Sequence, residues 1–244
     1  MPMKSKMTLD RVASRFGVAS RADSRKAIVA GRMKVNGRTV RDPDIWVSPD
    51  TDTFLLDGQK LKPARKRYLL FYKPKGVITS HGDPAGRDTI YKYLGDDNKW
   101  VSPVGRLDKD TSGLLLLTND TKFADFITSP ESEVPKTYLV KASGLLSDQV
   151  IAQLSAGVEM KRGDVAHPLS VARREDRGKY TWLDVVLTEG KNREVRRMME
   201  AVGFVVLKLV RTRIGPLTLE GLQVGKWREL NSDEMSGLRK MRKR

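Results

Sequence analysis

The first apolar residues of the chain recur at the spacing of an α-helix. Four of them occupy positions i, i+3, i+4 and i+7, the pattern of one buried helix face: Leu9, Val12, Ala13 and Phe16. Gly17 predicts the end of this helix, because glycine readily adopts the backbone conformation that terminates one. A second helix is predicted to begin near Ser20, whose spacing to Asp23 is that of a capping box, and to continue through residues 27–29 to Gly31.

After the two helices the pattern changes to the alternation that is typical of β-strands. Residues 33–35 alternate, Asn36-Gly37 favours a tight hairpin turn, and residues 39–40 begin the return strand. Further strands are predicted by short apolar or alternating segments: 68–72, 114–117, 136–142, 182–187 and 204–209. Since the segment 114–117 is apolar at every position, we expect that strand to be buried on both faces.

Helices are predicted between some of these strands. Residues 90–94 have the pattern of a short helix. A longer helix is predicted over residues 193–202, with Asn192 as its N-terminal cap and Gly203 at its end. Two arginines are expected beyond the last predicted strand: Arg211 and Arg213.

The composition excludes several classes of protein. The 244 residues include no Cys, so a disulfide framework is impossible, and only two His, which disfavours a zinc site. Because the chain has no apolar run near the ~18 residues of a membrane span and no apolar core of a signal peptide, we expect a cytoplasmic protein. Lys and Arg number 46 against 30 Asp and Glu. The net charge of +16 indicates a polyanionic partner, most often nucleic acid, and the alternative is a merely soluble basic protein.

The positive charge is concentrated in particular parts of the chain. Residues 1–66 contain 15 Lys and Arg against 7 Asp and Glu, a net charge of +8 that is half of the total. The polar segment 60–67 is predicted to be a linker between a small domain at 8–62 and a larger domain at 67–232. The basic segment 238–244 is predicted to be a C-terminal tail, and its last six residues are expected to be frayed or disordered, either as an arm that contacts phosphates or as a solvated end.

The small domain combines two helices and a hairpin with a dense set of cations. Such a unit presents backbone N–H groups and cationic side chains to phosphates, and its compact shape suits folded RNA better than DNA. Over residues 9–40 it resembles the S4 RNA-binding module, although Thr8 stands where that family often carries a basic residue. The alternative for any single cation is a solvated helix face. The candidate RNA-binding residues of this domain are Arg11, Arg21, Arg25, Lys26, Arg32 and Lys34.

The most informative stretch of the larger domain is residues 104–120, Val-Gly-Arg-Leu-Asp-Lys-Asp-Thr-Ser-Gly-Leu-Leu-Leu-Leu-Thr-Asn-Asp. Two glycines bracket a polar loop that precedes the apolar strand, and loops held between buried elements often carry catalytic residues. The candidate functional residues that this loop carries are Arg106, Asp108, Asp110, Thr111 and Ser112. An ordinary polar turn is the alternative. A cation site at Asp108 and Asp110 is disfavoured, because the EF-hand pattern of acids and glycine is missing.

Two other segments carry candidate residues. Tyr138 and Val140 are expected on one face of the strand at 136–142, where a core aromatic is the alternative that the pattern alone favours. Cations also cluster at the start of the helix at 193–202, although they oppose the helix dipole there. Such a violation of a local rule often marks function, and the alternative is a solvated basic helix end. This cluster comprises Lys191, Arg193, Arg196 and Arg197.

Three motifs, in this order, resemble those of the RsuA-like family of bacterial rRNA pseudouridine synthases. They are Gly-Arg-Leu-Asp-x-x-Thr-Ser-Gly-Leu at 105–114, Lys-Thr-Tyr at 136–138 and Gly-Lys-Asn-Arg-Glu-Val-Arg-Arg-Met at 190–198. The resemblance covers residues 8–230 and includes the S4 module. The third motif, together with Tyr-Lys-Pro-Lys-Gly at 72–76, is more similar to the large-subunit, RluB-like branch than to the small-subunit branch.

The resemblance implies an α+β fold, in which a small N-terminal α/β S4 domain precedes a catalytic domain with a mixed, mostly antiparallel central sheet flanked by helices. It also implies the isomerisation of uridine to pseudouridine. Asp108 would be the catalytic aspartate and Arg106 its neighbour in the loop. Tyr138 would lie against the target base, and Arg196 would pair with the carboxylate. Asp110 corresponds to a variable position and is not expected to be catalytic.

The resemblance further implies a partner, which is ribosomal RNA or a ribosomal assembly intermediate, with 23S rRNA favoured. Since the reaction is an isomerisation, we expect no cofactor and no metal, and we expect a monomer. The candidate RNA-binding residues of the larger domain are Lys73, Lys191, Arg193 and Arg197. The alternatives are a 16S rRNA pseudouridine synthase, a non-catalytic RNA-binding or ribosome-assembly protein, and a nuclease that uses Asp108 and Asp110 with a metal.

Overall fold

The computed structural model describes residues 6–16, 21–62, 65–95, 98, 100–161 and 163–241. The chain forms two compact units, Met1–Lys66 and Arg67–Arg244. The predicted linker at 60–67 spans this division, although Lys60 belongs to the last strand of the first unit. Among the residues described, we find no helix of the length and hydrophobicity that a membrane span requires.

The first unit is built from two helices and short strands. In chain order its elements are β1 (Met7–Thr8), α1 (Leu9–Arg15), α2 (Arg21–Val29), β2 (Met33–Val35), β3 (Arg38–Val40), β4 (Trp46–Val47), β5 (Phe54–Leu56) and β6 (Gln59–Lys60). Strands β3, β2, β5 and β6 form an antiparallel sheet in that order, and β1 pairs with β4. The helices and this sheet enclose one apolar core: Leu9, Val12, Ala13, Ile28, Met33, Val47 and Phe54.

The predicted helices and hairpin of this unit are confirmed. Leu9, Val12 and Ala13 are fully buried, as the helical spacing predicts. The hairpin between β2 and β3 turns at Asn36 and Gly37, whose φ angles of 49° and 81° have the positive sign that a type I′ turn requires. The predicted helix boundaries at Gly17 and Ser20 lie outside the described residues.

The second unit is organised around one large sheet. In chain order its elements are β7 (Tyr68–Lys73), α3 (Tyr91–Leu94), β8 (Ser102–Pro103), β9 (Ser112–Thr118), α4 (Thr121–Thr128), β10 (Lys136–Ala142), α5 (Asp148–Ala156), β11 (Val158–Glu159), β12 (Val165–Ala166), β13 (Ser170–Arg177), β14 (Tyr180–Leu187), α6 (Glu194–Ala201), β15 (Val206–Ile214), β16 (Leu217–Thr218), β17 (Trp227–Glu229) and α7 (Ser232–Met241). The strand order of the sheet is β13-β14-β10-β15-β9-β7-β17, with β16 paired to β15 and β8 to β9. The pairing of β15 with β9 is parallel and the other pairings of this sheet are antiparallel. The expected mixed, mostly antiparallel sheet is therefore confirmed.

Apolar side chains cover both faces of the sheet at its centre. Along β9, Leu115 and Leu117 belong to one apolar cluster, and Leu114 and Leu116 belong to a second one. All four residues are at most 1% exposed. Because alternate residues of a strand point to opposite faces, the continuous apolar run at 114–117 reflects burial on both sides, as predicted.

Two predicted element boundaries are wrong. Helix α6 begins at Glu194, and its N-cap position is occupied by Arg193 in a left-handed conformation rather than by Asn192. The reason is that a carboxyl oxygen of Glu194 accepts a hydrogen bond from the backbone N–H of Lys191 and so closes the first turn from within the helix. Strand β15 runs over Val206–Ile214 and not over 204–209, so that two arginines lie within it: Arg211 and Arg213.

The prediction of a C-terminal tail from residue 238 is also wrong for the residues described. Leu238 lies in α7 and is fully buried in the same apolar cluster as Leu70 and Leu114. Met241, at the end of this helix, packs against that cluster. Apolar residues at positions 238 and 241 thus dock the helix although basic residues surround them, and residues 242–244 lie outside the described part of the chain.

Candidate active site

A cavity of about 550 Å³ brings the three predicted motifs together. Its walls come from the loop before β9, from strands β10 and β15, and from the segment that leads into α6. Arg106, Asp108 and Tyr138 line it, as do Lys191 and Arg193. Residues that are far apart in the sequence therefore form one site.

The loop that carries Asp108 is held almost entirely through its backbone. Five consecutive carbonyl oxygens accept hydrogen bonds from groups outside residues 107–111. The donors are Thr79 Oγ1 to Leu107 (2.8 Å), Lys73 Nζ to Asp108 (3.1 Å) and to Thr111 (2.8 Å), Gly76 N to Lys109 (2.7 Å) and Arg196 Nη2 to Asp110 (3.1 Å). Buried carbonyl groups need such partners, and here the partners also fix the path of the loop.

This clamping of the backbone leaves the side chain of Asp108 available. The residue is half-buried, and in the described part of the chain no hydrogen bond or ion pair reaches its carboxylate. Arg196 does not line the cavity, because its guanidinium donates hydrogen bonds to the carbonyl oxygens of Val206 (3.0 Å) and Asp110 (3.1 Å). Its charge still acts on Asp108: burial lowers the pKa of Arg196, while Asp108 and Asp110 act in the opposite direction. The two groups thus interact through space rather than as a contact ion pair.

Tyr138 is presented to the cavity by the central strand β10. Tyr138 is 9% exposed and shares its face with Lys136 and Val140, as the alternation of the strand predicts. The residue packs in the apolar core and lines the cavity as well. Tyr138 is therefore a core residue, as the strand pattern alone favours, and it also lines the candidate site.

Three further ionisable groups lie buried in the cavity wall. Lys136, Glu194 and Arg211 are 7%, 4% and 5% exposed. The pKa of Lys136 is lowered to about 8, chiefly by burial and also by the nearby charge of Arg211, while Glu194 acts in the opposite direction. The pKa of Glu194 is raised to about 8, chiefly by burial and also by the neighbouring carboxyl of Glu189. Burial and the neighbouring carboxyl therefore both favour the protonated form of Glu194.

The carboxylates are not arranged as a metal centre. Among the residues that the structure describes, we find no group of three or more His, Cys, Asp or Glu side chains that could hold a metal ion. Asp108 and Asp110 share a loop, but Asp110 is exposed and does not line the cavity.

Comparison with known protein families agrees with this arrangement. Residues 67–201 match the model of the family described as RNA pseudouridylate synthase, and residues 7–51 match that of the S4 domain. The chain belongs to the RNA pseudouridylate synthase family. The synthase thus carries an S4 domain in front of its catalytic domain, as the sequence motifs predict.

Individual proteins support the same family over most of the chain of this synthase. It is 38% identical to "Ribosomal large subunit pseudouridine synthase B" of Bacillus subtilis (strain 168), over 95% of each chain. It is 36% identical to the protein of that name from Escherichia coli (strain K12), over 96% of this chain and 82% of the relative. A solved structure, "Crystal structure of pseudouridylate synthase", is 29% identical and covers 95% of this chain and 99% of its own, with a TM-score of 0.69.

The structure distinguishes among the cations that were predicted to bind RNA. The prediction that Lys73 binds RNA is wrong, because this residue is fully buried and its ammonium donates hydrogen bonds to three carbonyl oxygens. Several others already hold carboxylates in ion pairs: Arg21 with Asp10, Arg25 with Asp10 and Asp44, Lys26 with Asp23, Arg32 with Asp57, Lys191 with Glu189, and Arg197 with Asp164. Arg11, Lys34 and Arg193 are exposed and have no ion pair among the described residues. These three cations are the most available to a polyanion.

Sequence reasoning missed the roles of Thr79, Lys73 and Arg211. A signal for Lys73 was present, because it continues the alternation of Leu69 and Phe71 and therefore faces the core. No comparable signal existed for Thr79, whose loop lacks periodicity. Arg211 was placed beyond a strand that in fact includes it.

Proposed function

We propose that this synthase converts a specific uridine of 23S ribosomal RNA into pseudouridine and that Asp108 is its catalytic carboxylate. The observation that carries the proposal is the uncommitted carboxylate of Asp108 on a loop with a fixed backbone, in a cavity that Arg106, Lys136 and Arg211 also line. The assignment to the large ribosomal subunit is supported by the names of the relatives at 36–38% identity.

The reaction sets out what the cavity must do. The bond between N1 of uracil and C1′ of ribose breaks, the base turns, and C5 becomes bonded to C1′. The proton of C5 is lost and N1 gains one, so atoms and electrons balance without an oxidant or a reductant. An ionised carboxylate is required at the sugar, as a nucleophile or a base, and we assign this role to Asp108.

The remaining predicted residues have roles that fit their positions. Because a base in folded RNA is stacked, the target uridine must turn out of its helix to enter the cavity, at a cost of a few kcal/mol. Stacking on Tyr138 recovers roughly 1–3 kcal/mol of this cost. Arg106 is exposed at the edge of the cavity, where it is placed to contact the RNA around the flipped nucleotide. The first unit and Arg193 supply affinity for phosphates, in a protein that we propose to be cytoplasmic and monomeric.

The test of this proposal compares two neighbouring aspartates. The protein is incubated with deproteinised 23S and 16S rRNA, and new pseudouridines are mapped by carbodiimide-dependent stops of primer extension. We expect a stop in 23S rRNA with the unmodified enzyme and with Asp110→Asn, which changes an exposed residue of the same loop. Asp108→Asn should reduce the rate by roughly 10²–10⁴-fold or more while RNA binding persists.

Three outcomes would contradict parts of the proposal. Full activity of Asp108→Asn removes Asp108 from the catalytic role. A stop confined to 16S rRNA excludes the large-subunit target. Binding without any new pseudouridine in either RNA favours a non-catalytic RNA-binding protein.

A further inference from the structure

The guanidinium of Arg211 has a hydrogen-bonding group that the protein does not use. Its Nε donates to the carbonyl oxygen of Leu114 at 2.8 Å, and this bond fixes the side chain in the wall of the cavity. Nη2 of the same guanidinium is buried and has no hydrogen-bond partner. A buried donor without a partner is costly in a folded protein, so such a group calls for an explanation.

The strand register shows that the position of Arg211 is specified by the fold. In the β10–β15 ladder, Arg211 lies directly opposite Tyr138, and an irregularity follows, since Thr137 pairs with Arg213. Thr212 is thus an extra residue that changes the alternation of β15, and such bulges re-aim side chains near active sites. As a result Arg211 and Ile214 both face the cavity, while Arg213 is exposed.

The surroundings of Arg211 suit the base of a nucleotide. Lys136 lies on the same strand face as Tyr138 and makes one hydrogen bond through its ammonium, to the carbonyl oxygen of Thr188 at 2.7 Å. The buried carboxyl of Glu194 lies beside the carboxyl of Glu189 in the same wall. Tyr138, the two cations Lys136 and Arg211, and the buried carboxyl of Glu194 therefore line one wall of the cavity. This combination fits a flat base with carbonyl oxygens, because the ring of Tyr138 offers a surface for stacking and the two cations offer donors to those oxygens.

Uracil is such a base, and its charge changes during the reaction. When the bond from N1 to C1′ breaks, the electron pair leaves with the base, and the negative charge spreads over N1, O2 and O4. A donor fixed before the reaction stabilises such charge without having to reorganise, and this is the principle of an oxyanion hole. Arg211 is fixed in this way by its bond to Leu114, and Lys136 adds a second positive charge nearby.

We propose that Nη2 of Arg211 donates a hydrogen bond to a carbonyl oxygen of the flipped uracil and stabilises the anion of that base while it is detached from the ribose. The proposal rests on the function proposed above. It makes Arg211 a catalytic residue that faces the base, whereas Asp108 acts at the sugar. After the base has turned, C5 bonds to C1′, the C5 proton leaves, and N1 takes up a proton, so that the negative charge disappears again.

The test combines a change of Arg211 with a change of the oxygen that it contacts. Single-turnover rates are measured on an rRNA fragment that carries uridine, 2-thiouridine or 4-thiouridine at the modified position. Sulfur accepts hydrogen bonds poorly, so the contribution of Arg211 should decline on the substrate whose contacted oxygen is replaced. We expect Arg211→Gln to slow the conversion of uridine by about 10²–10³-fold, the usual effect of losing one such donor, and to slow one of the thiouridines by less than about tenfold.

Controls separate catalysis from folding. Arg213→Gln, which removes an exposed arginine two residues away, should leave all three rates unchanged. RNA affinity and melting temperature are measured for each variant, and Arg211→Lys replaces Arg211→Gln if the latter does not fold. An equal loss on all three substrates, or no loss, overturns the proposal while the conversion of uridine by the unmodified enzyme still supports the proposed function. If the unmodified enzyme converts no uridine, the proposed function and this inference fail together.

Discussion

The ammonium of Lys73 lies 3.1 Å from the carbonyl oxygen of Asp108 and joins the end of strand β7 to the loop that carries the candidate catalytic side chain. The same ammonium donates to the carbonyl oxygen of Thr111 at 2.8 Å, so it holds the loop on both sides of residues 109–110. A buried lysine thus acts here as a fixed backbone clamp rather than as an RNA ligand.

Replacing this clamp should impair activity more than RNA binding. Lys73→Met leaves buried carbonyl oxygens without their donor, and we expect a loss of roughly 1–3 kcal/mol of stability. Because small displacements of a catalytic group are costly, the single-turnover rate should decline by up to about 10²-fold while the Kd for RNA stays nearly constant. Lys75→Met, which changes an exposed lysine of the same turn, is the matched control. A higher Kd for Lys73→Met at an unchanged rate would restore Lys73 as an RNA ligand.

Gly113 should tolerate no side chain. A Cβ atom there would lie 2.5 Å from the backbone nitrogen of Arg211 and closer still to its carbonyl oxygen, and the φ of Gly113 is 119°. The clash is with the backbone of a parallel neighbouring strand, so it cannot be relieved by a side-chain rotation. We expect Gly113→Ala to lower the free energy of unfolding by about 3 kcal/mol or more, as measured by urea denaturation. Gly82→Ala, where a Cβ meets nothing within 4 Å, should change stability by less than about 0.5 kcal/mol.

The loop of Asp108 and the strand that follows it show which features the sequence predicts and which it does not. The run at 114–117 and the motif around Asp108 were sufficient to predict a doubly buried strand with a functional loop before it, because apolar periodicity and motif spacing are local properties. The contact of Arg211 with that strand and the contacts of Lys73 with that loop depend on which strands become neighbours. A bulge at Thr212 changes which residues face the cavity, and no pattern in the local sequence predicts this bulge. Such non-local partners are therefore visible only in the folded chain.

The protonated carboxyl of Glu194 should make stability depend on pH. Its pKa in the folded protein is raised to about 8, so the folded state holds a proton that the unfolded chain releases near pH 4.5. The contribution of this group is fully present below pH 4.5 and is lost as the pH rises towards 8. Glu189, whose pKa is lowered, changes its contribution only in acid.

Glu194→Gln removes that dependence. The stability of this variant relative to the unmodified protein should rise between pH 5 and pH 8.5 by an amount on the order of 1–2 kcal/mol, measured as melting temperatures across that range. Glu200→Gln changes an exposed position of the same helix, and its melting temperature should vary with pH in the same way as that of the unmodified protein. Parallel curves for Glu194→Gln would mean that Glu194 is ionised in the folded state.

Asp10 should dominate the acid sensitivity of the first unit. It is fully buried, and its carboxylate accepts hydrogen bonds from Thr8 (2.5 Å), Arg21 (2.7 Å) and Arg25 (3.1 Å). Burial alone would raise the pKa of Asp10, but these bonds outweigh it and lower the pKa to about 2. The stabilisation is therefore present above pH 3.8 and lost as the pH declines towards 2.

Asp10→Asn should destabilise the first unit by roughly 1–3 kcal/mol at pH 7. The difference from the unmodified protein should narrow below pH 3, where Asp10 itself becomes protonated. Hydrogen exchange of the amides of α1 and α2 reports this unit separately from the rest of the chain. Asp50→Asn, at an exposed position of the same unit, should leave the exchange rates unchanged. If the difference in stability between Asp10→Asn and the unmodified protein does not depend on pH, the variant is destabilised by altered packing and not by the loss of a charge.

The unpaired cations of the first unit should determine the salt dependence of RNA binding. Arg11 and Lys34 are exposed and have no ion pair among the described residues, whereas Arg32 already holds Asp57 through two hydrogen bonds. Each phosphate contact that is lost reduces the slope of log Kobs against log[salt] by somewhat less than one, because fewer counterions are released. The double variant Arg11→Gln/Lys34→Gln should therefore lower the slope by about 1.5, measured by fluorescence anisotropy between about 50 and 200 mM salt. Arg32→Gln should change it less, since its charge is already compensated, and an unchanged slope for the double variant would place the RNA on another surface.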